Sequence, residues 1–283
     1  MNKMTKRTVR EARTWASSFL KEHNREERVA ELLLRYLLGV NQAQFLAMQT
    51  DYVDPHIEHE FISWVKDHAE SGKPIEHFTN EVEFYDRSFY VDGRVLIPRP
   101  ETEELIVALL NEVKNPQTVI DLGTGSGIIA ITLKKEWPEA KVYASDLSEE
   151  ALSVAHINSQ KLGADVQFEE GDFLKPFLNE GITPDVVVSN PPYIPYAERE
   201  HLSETVSFHD PSQALFAEDG GLAAYETIIN QVIQLPQKPE LTAFEIGYDQ
   251  GETVPNLIKK YDSRAQVKVI QDINGKDRIV LWR

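Results

Sequence analysis

The chain has 283 residues, a formal net charge of −17, 41% hydrophobic residues and no cysteine. This is the composition of a globular protein large enough for a sizeable core, in one large domain or two unequal ones. It excludes disulfides, thiolate metal sites and a cysteine nucleophile. No apolar run approaches the roughly 18–20 residues of a membrane span, and the charged start "MNKMTKRTVREARTW" lacks a signal-peptide core, so no membrane contact and a cytoplasmic location are expected.

Helical periodicity dominates up to about residue 77. "TVRE", Thr8 to Glu11, is a capping box, followed by Val9, Ala12, Ala16, Phe19 and Leu20 at helical spacing. Asn24 is the expected cap of a second helix through "VAELLLRYLLG", which Gly39 ends. A third begins near Asn41. Asp54-Pro55 opens a fourth, with Ile57, Phe61, Trp64 and Val65 inward and Gly72 and Pro74 at its end. His56, His59 and Glu60 on that helix lack the spacing of a metal motif, and no metal is expected. We read residues 1–77 as a helical recognition domain, 78–98 as a β-hairpin linker turning at Asp92-Gly93, and 99–283 as the catalytic domain.

From Thr118 strands alternate with helices: "TVIDLG", "IIAITLKKE", "KVYASD", "EEALSVAHINSQKLG", "VQFEEGD", "DVVVSN", "LAAYETIINQVIQL", "LTAFEIG" and a helix near 254–260. Such alternation predicts an α/β fold, a parallel sheet with helices on both faces. The last strands, "QVKVIQD" and "RIVLW", flank Asn274-Gly275, so the final strand should run antiparallel.

Three strand ends carry candidate ligand groups. Asp121 precedes Gly123-Thr124-Gly125-Ser126-Gly127, whose glycines allow positive φ and close approach of a ligand to the backbone. Asp146, followed by Leu147, can accept both hydroxyls of a ribose. Asp172 and Phe173 suit an adenine, the carboxylate at its amine and the ring along its plane. A fourth end carries Asn190-Pro191-Pro192-Tyr193, a carboxamide and an aromatic ring on a stiff turn.

"DLGTGSG", Asp146, "GDF" and "NPPY" together resemble the seven-stranded S-adenosylmethionine-dependent methyltransferases. With "VLIPRPETEEL", "SNPPYIP" and the helical N-terminus, the chain is similar to the HemK-like (PrmC) protein glutamine methyltransferases. That resemblance implies a Rossmann-like sheet with an antiparallel last strand and S-adenosylmethionine as cofactor. The implied substrate is the glutamine side-chain amide in the Gly-Gly-Gln motif of class 1 peptide chain release factors. The chain departs from the pattern at Phe173, where tryptophan is frequent, and at Asp210, where glutamate is expected.

A carboxamide nitrogen is a poor nucleophile because its lone pair is delocalised. The side-chain oxygen of Asn190 and the carbonyl of Pro191 are suited to accept its two hydrogens, while Tyr193 stacks on the amide plane. Pro192 completes the substrate contact, and Arg99 and Glu101 stand at the rim. The same logic fits exocyclic amines of nucleic-acid bases. However, residues beyond His77 carry about −16 of the net charge, which repels phosphate backbones. A non-catalytic cofactor-binding scaffold would have no use for the intact Asn-Pro-Pro-Tyr. No direct nucleic-acid contact is expected, and nothing requires more than a monomer.

Overall fold

Thr8 and Glu11 form the capping box that starts α1 (Val9–Glu22): the Thr8 side chain accepts from the Glu11 amide, and the Glu11 carboxylate accepts from the Thr8 amide at 2.7 Å. The computed structural model describes residues 6–201 and 209–283. Its chain divides into two compact units, Met1–Asn80 and Glu81–Arg283.

The first unit continues with α2 (Val29–Leu38), α3 (Gln42–Ala47), α4 (Pro55–Ser71) and α5 (Glu76–Thr79). Val9, Ala16, Leu20, Leu33, Leu34, Phe45, Phe61 and Val65 form its own core. Gly39 and Gly72 end α2 and α4 in the left-handed conformation, and Asp54 caps α4. Asn24 does not cap α2. It lies at φ 55° in the turn leaving α1, and α2 starts five residues later, at Val29, behind Arg28 with no side-chain cap. An asparagine tolerates the left-handed region, so it serves here to end a helix.

The second unit opens with a hairpin, β1 (Glu81–Phe84) and β2 (Arg87–Tyr90). Its turn is Tyr85-Asp86, both at positive φ, and not Asp92-Gly93. Asp92 lies beyond β2, where Arg94 donates to its carboxylate at 2.6–3.1 Å and holds its pKa down at about 2. Next come α6 (Glu101–Glu112), β3 (Thr118–Leu122), α7 (Ile128–Glu136), β4 (Lys141–Asp146), α8 (Glu149–Leu162), β5 (Val166–Glu170), α9 (Lys175–Glu180) and β6 (Val186–Ser189). A two-residue pairing joins β7 (Ile194–Pro195) to β8 (Phe216–Ala217). The chain ends with α10 (Ala223–Val232), β9 (Leu241–Glu245), α11 (Thr253–Tyr261), β10 (Val267–Gln271) and β11 (Asp277–Trp282).

The seven strands β10-β11-β9-β6-β3-β4-β5 form one sheet. Pairings from β9 through β5 are parallel, while β11 runs antiparallel to both β9 and β10. Alternating strand residues feed two cores. Val119, Val186 and Val188 meet Leu105, Ile129 and Leu133 on one face; Ile120, Val187 and Phe244 meet Tyr225, Ile228 and Ile258 on the other. The chain runs outward from β3 through β4 to β5, then returns to β6 on the other side of β3. That reversal opens a crevice at the strands' C-terminal ends, where open α/β sheets bind ligands.

Candidate active site

The crevice is a cleft of about 1010 Å³ including its open mouth. Gly123, Thr124, Gly125 and Ser126 after β3, Asp146 and Leu147 at the end of β4, Gly171 and Phe173 after β5, and Asn190 and Pro192 after β6 line it. Four strand ends, separated in sequence, thus converge on one space.

The glycine turn is held from below and from the side. Asp121 is fully buried and does not line the cleft. Its Oδ2 accepts from Thr124 Oγ1 at 2.6 Å and from the Ala130 amide at 3.2 Å, bracing the turn against the start of α7. Its Oδ1 has no hydrogen-bond partner among the described residues, and burial lifts the carboxyl to a pKa of about 7. Asp146 braces the turn laterally: its Oδ2 accepts from the Gly125 amide at 2.8 Å and its Oδ1 from the Ser148 amide at 2.9 Å. Burial raises its pKa, against the pull of those amides. Gly125 has φ +57°, and a Cβ placed there would meet nothing within 4 Å, so backbone conformation and not crowding requires the glycine. Gly127, at φ +81°, is crowded as well: a Cβ there would lie 2.9 Å from Ile131 and 3.1 Å from Ala155, so this glycine also serves the packing of α7 against α8.

Not every expected residue reaches the cleft. Phe173 lines it, at φ 53°, with its carbonyl accepting from Ser145 Oγ at 2.8 Å. Asp172 does not line it, and its carboxylate is paired with Lys175 at 2.5 Å. Pro191 is buried behind the wall. The half-buried Tyr193 ring packs toward the α10 core, its hydroxyl pushed up to a pKa of about 12 by burial, while its carbonyl accepts from Gln250 Nε2 at 3.3 Å. Arg99 lines the cleft and pairs at 2.9 Å with Asp210, whose carboxylate is buried and also accepts from the Ile97 amide at 3.3 Å. Glu101 is outside the wall, in the first turn of α6.

Two residues missing from the sequence reading stand beside Asn190. Thr102, in the first turn of α6, is buried and donates its hydroxyl to Glu245 Oε2 at 2.7 Å. Glu245 ends β9, next to β6; it is 2% exposed, and burial pushes its carboxyl to a pKa of about 7. A carboxylate closing the otherwise uncharged strand "LTAFE" was the available signal.

The walls suit S-adenosylmethionine. Val95, Ile128, Leu147, Ala151 and Phe173 are apolar, and Asp146 offers a fixed carboxylate. The cleft's two arginines are each ion-paired, Arg94 with Asp92 and Arg99 with Asp210, so no clamp is set for a phosphate. Asp146 would hold the ribose, Phe173 and Leu147 the base, and the glycine turn the polar end of the amino-acid portion.

Residues 101–235 match the Methyltransferase small domain family, and residues 11–79 match the PrmC N-terminal domain family. The release factor glutamine methyltransferase of Bacillus cereus is 43% identical over 277 residues, 96% of this chain and 98% of that protein. That of Bacillus subtilis is 42% identical over 280 residues, 97% of each chain. Among solved structures, the hMettl16 catalytic domain in complex with MAT2A 3'UTR hairpin 1 superimposes with a TM-score of 0.56 at 13% identity, covering 88% of this chain and 90% of that one, a likeness of fold alone. No helix among the described residues is long and apolar enough to cross a membrane.

Proposed function

The chain belongs to the release factor glutamine methyltransferase family, and on that premise we propose its substrate and the roles of the residues around Asn190. The acceptor is the side-chain amide nitrogen of the glutamine in the Gly-Gly-Gln motif of class 1 peptide chain release factors. The enzyme acts as a cytoplasmic monomer, without direct nucleic-acid contact. The observation that carries this reading is the position of Asn190: it follows β6, the strand beside β3, and shares one cleft with the glycine turn and Asp146.

Bound S-adenosylmethionine supplies an electrophilic methyl group on a sulfonium. The protein's task is to present a weak nucleophile in the right attitude. Asn190 Oδ1 accepts an amide hydrogen of the glutamine, turning the nitrogen lone pair toward the methyl. That acceptor is neutral, so it does not bind the sulfonium ground state as a counter-ion would. The prolines fix φ, and Ser189 Oγ, donating to the Leu122 carbonyl at 2.7 Å, ties the strand end to β3. Positioning of this kind supplies up to roughly 7–11 kcal/mol of a barrier. The proton leaves from the methylated, cationic nitrogen, which is a strong acid, so no general base is needed before transfer.

Transfer of labelled methyl to purified release factor, with a Gln-to-Ala variant of that factor's Gly-Gly-Gln motif, RNA and DNA as parallel acceptors, tests the proposal. Label on the release factor that disappears in its variant supports it. Label on nucleic acid instead would redirect the cleft to base amines.

A further inference from the structure

Asn190 can present either its oxygen or its nitrogen to an incoming amide, because the two ends have the same shape. Only the oxygen can accept a hydrogen. We propose that Thr102 and Glu245 are positioning residues that fix which way round the Asn190 carboxamide lies, so that its oxygen faces the substrate. The inference rests on the reading that Asn190 is an acceptor for the glutamine amide.

The polarity of the contacts carries it. Thr102 has one hydroxyl hydrogen, committed to Glu245 Oε2 at 2.7 Å. Its oxygen can therefore only accept from Asn190, and Asn190 Nδ2 lies 3.4 Å away, a long but correctly directed contact. The Asn190 side chain also favours the charged form of Glu245. The Thr102 oxygen thus holds the nitrogen end, which leaves Oδ1 for the cleft. Turning the carboxamide over would set oxygen against oxygen at a buried site.

The device depends on the charge of Glu245. A protonated Glu245 carries a hydrogen of its own, can donate it to Thr102, and no longer dictates the polarity. Arg278 on β11 favours the ionised form; Glu101 on α6 opposes it. Tyr225 on α10 donates to the Glu245 backbone carbonyl and not to its carboxylate, while Tyr193 couples to it electrostatically. Because burial sets this carboxyl near 7, methyl transfer should weaken as pH falls through that region.

The test is single-turnover methylation of release factor by Thr102→Val, which keeps the shape and removes the hydroxyl, and by Thr102→Ser, which restores it. Valine should slow transfer about 10- to 100-fold while the cofactor Kd, measured by calorimetry, and the release factor KM stay within about twofold. Serine should recover most of the rate. In an Asn190→Ala background, Thr102→Val should cost nothing further, since there is no carboxamide left to orient. Glu245→Gln should lose the acid limb of the wild-type pH profile near 7. The inference is overturned if Thr102→Val is near wild type, or if it costs as much beside Asn190→Ala as alone, the mark of a merely structural role. A normal rate in Asn190→Ala itself would instead remove the reading of Asn190, and this inference with it.

Discussion

The Gly125 backbone amide donates to the Asp146 carboxylate at 2.8 Å, so the group placed to hold a ribose also sets the shape of the turn beside it. Asp146→Ala loses both functions and should weaken S-adenosylmethionine binding by at least about 10- to 100-fold. Asp146→Asn keeps one acceptor oxygen and should fall between. Calorimetric titration of the folded variants checks this; unchanged affinity in Asp146→Ala would take Asp146 out of the site.

The Asn-Pro-Pro-Tyr loop is held by contact as well as by proline. Gly221 has φ +86°, and a Cβ there would lie 2.1 Å from the Tyr193 carbonyl oxygen. Gly221→Ala must therefore displace either the loop or its own turn, at a cost of more than about 1 kcal/mol. Denaturant unfolding should show that loss. Single-turnover methylation should slow more than cofactor binding weakens, because the displaced segment is the one carrying Asn190.

Two buried carboxyls give the free enzyme a distinctive pH dependence. Asp121 and Glu245 are raised from 3.8 and 4.5 to about 7. A carboxyl raised in the folded state holds its proton more tightly than in the unfolded chain. Its contribution is full below the unfolded pKa, near 4, and is lost as pH rises to about 7. Asp92, held down at about 2 by Arg94, has the opposite sign: its stabilisation is present above about 4 and lost as pH falls toward 2, outside this window. Urea unfolding of Asp121→Asn should accordingly show a smaller loss of stability between pH 5 and pH 7.5 than the wild type does, at about 1.4 kcal/mol for each pKa unit removed. Equal losses in both would mean that Asp121 is ionised throughout.

The helical unit has a core of its own, separate from the two cores that sandwich the sheet. Deleting residues 1–80 should leave cofactor affinity near normal. It should sharply reduce methylation of intact release factor, since recognition of a folded partner takes about 800 Å² of surface per side, more than a cleft offers. A truncated enzyme as fast as the full chain would end the recognition role given to these helices.

The features legible in the sequence are those fixed by local chemistry. Thr8 with Glu11, Asp54 before Pro55 and the terminating Gly39 and Gly72 act within a few residues, and each holds its expected place. The glycine turn and Asp146 were equally visible, because backbone that must adopt positive φ beside a strand end leaves a mark in composition. The hairpin turn was not, because Tyr85 and Asp86 adopt the left-handed region without glycine while Asp92-Gly93 carried the stronger local signal. Helix α6 was read only as a motif, its first turn obscured by Glu101, Glu103 and Glu104. Thr102 and Glu245 lie 143 residues apart, joined only where α6 packs against β9. Asp172 does not line the cleft, and its carboxylate pairs with Lys175.

The most direct measurement is single-turnover methyl transfer to release factor by Asn190→Ala, with cofactor saturating. Loss of an acceptor used mainly in the transition state should cut the rate far more than it weakens release factor binding. Asn190→Asp, which keeps an acceptor but adds a charge, separates acceptor geometry from neutrality: the milder effect points to geometry, an equal one to charge. The expected result is a fall of at least about 100-fold for alanine with cofactor affinity preserved. A near-normal rate would mean that the turn after β6 is only a rigid connection, and that the chemistry lies elsewhere in the cleft.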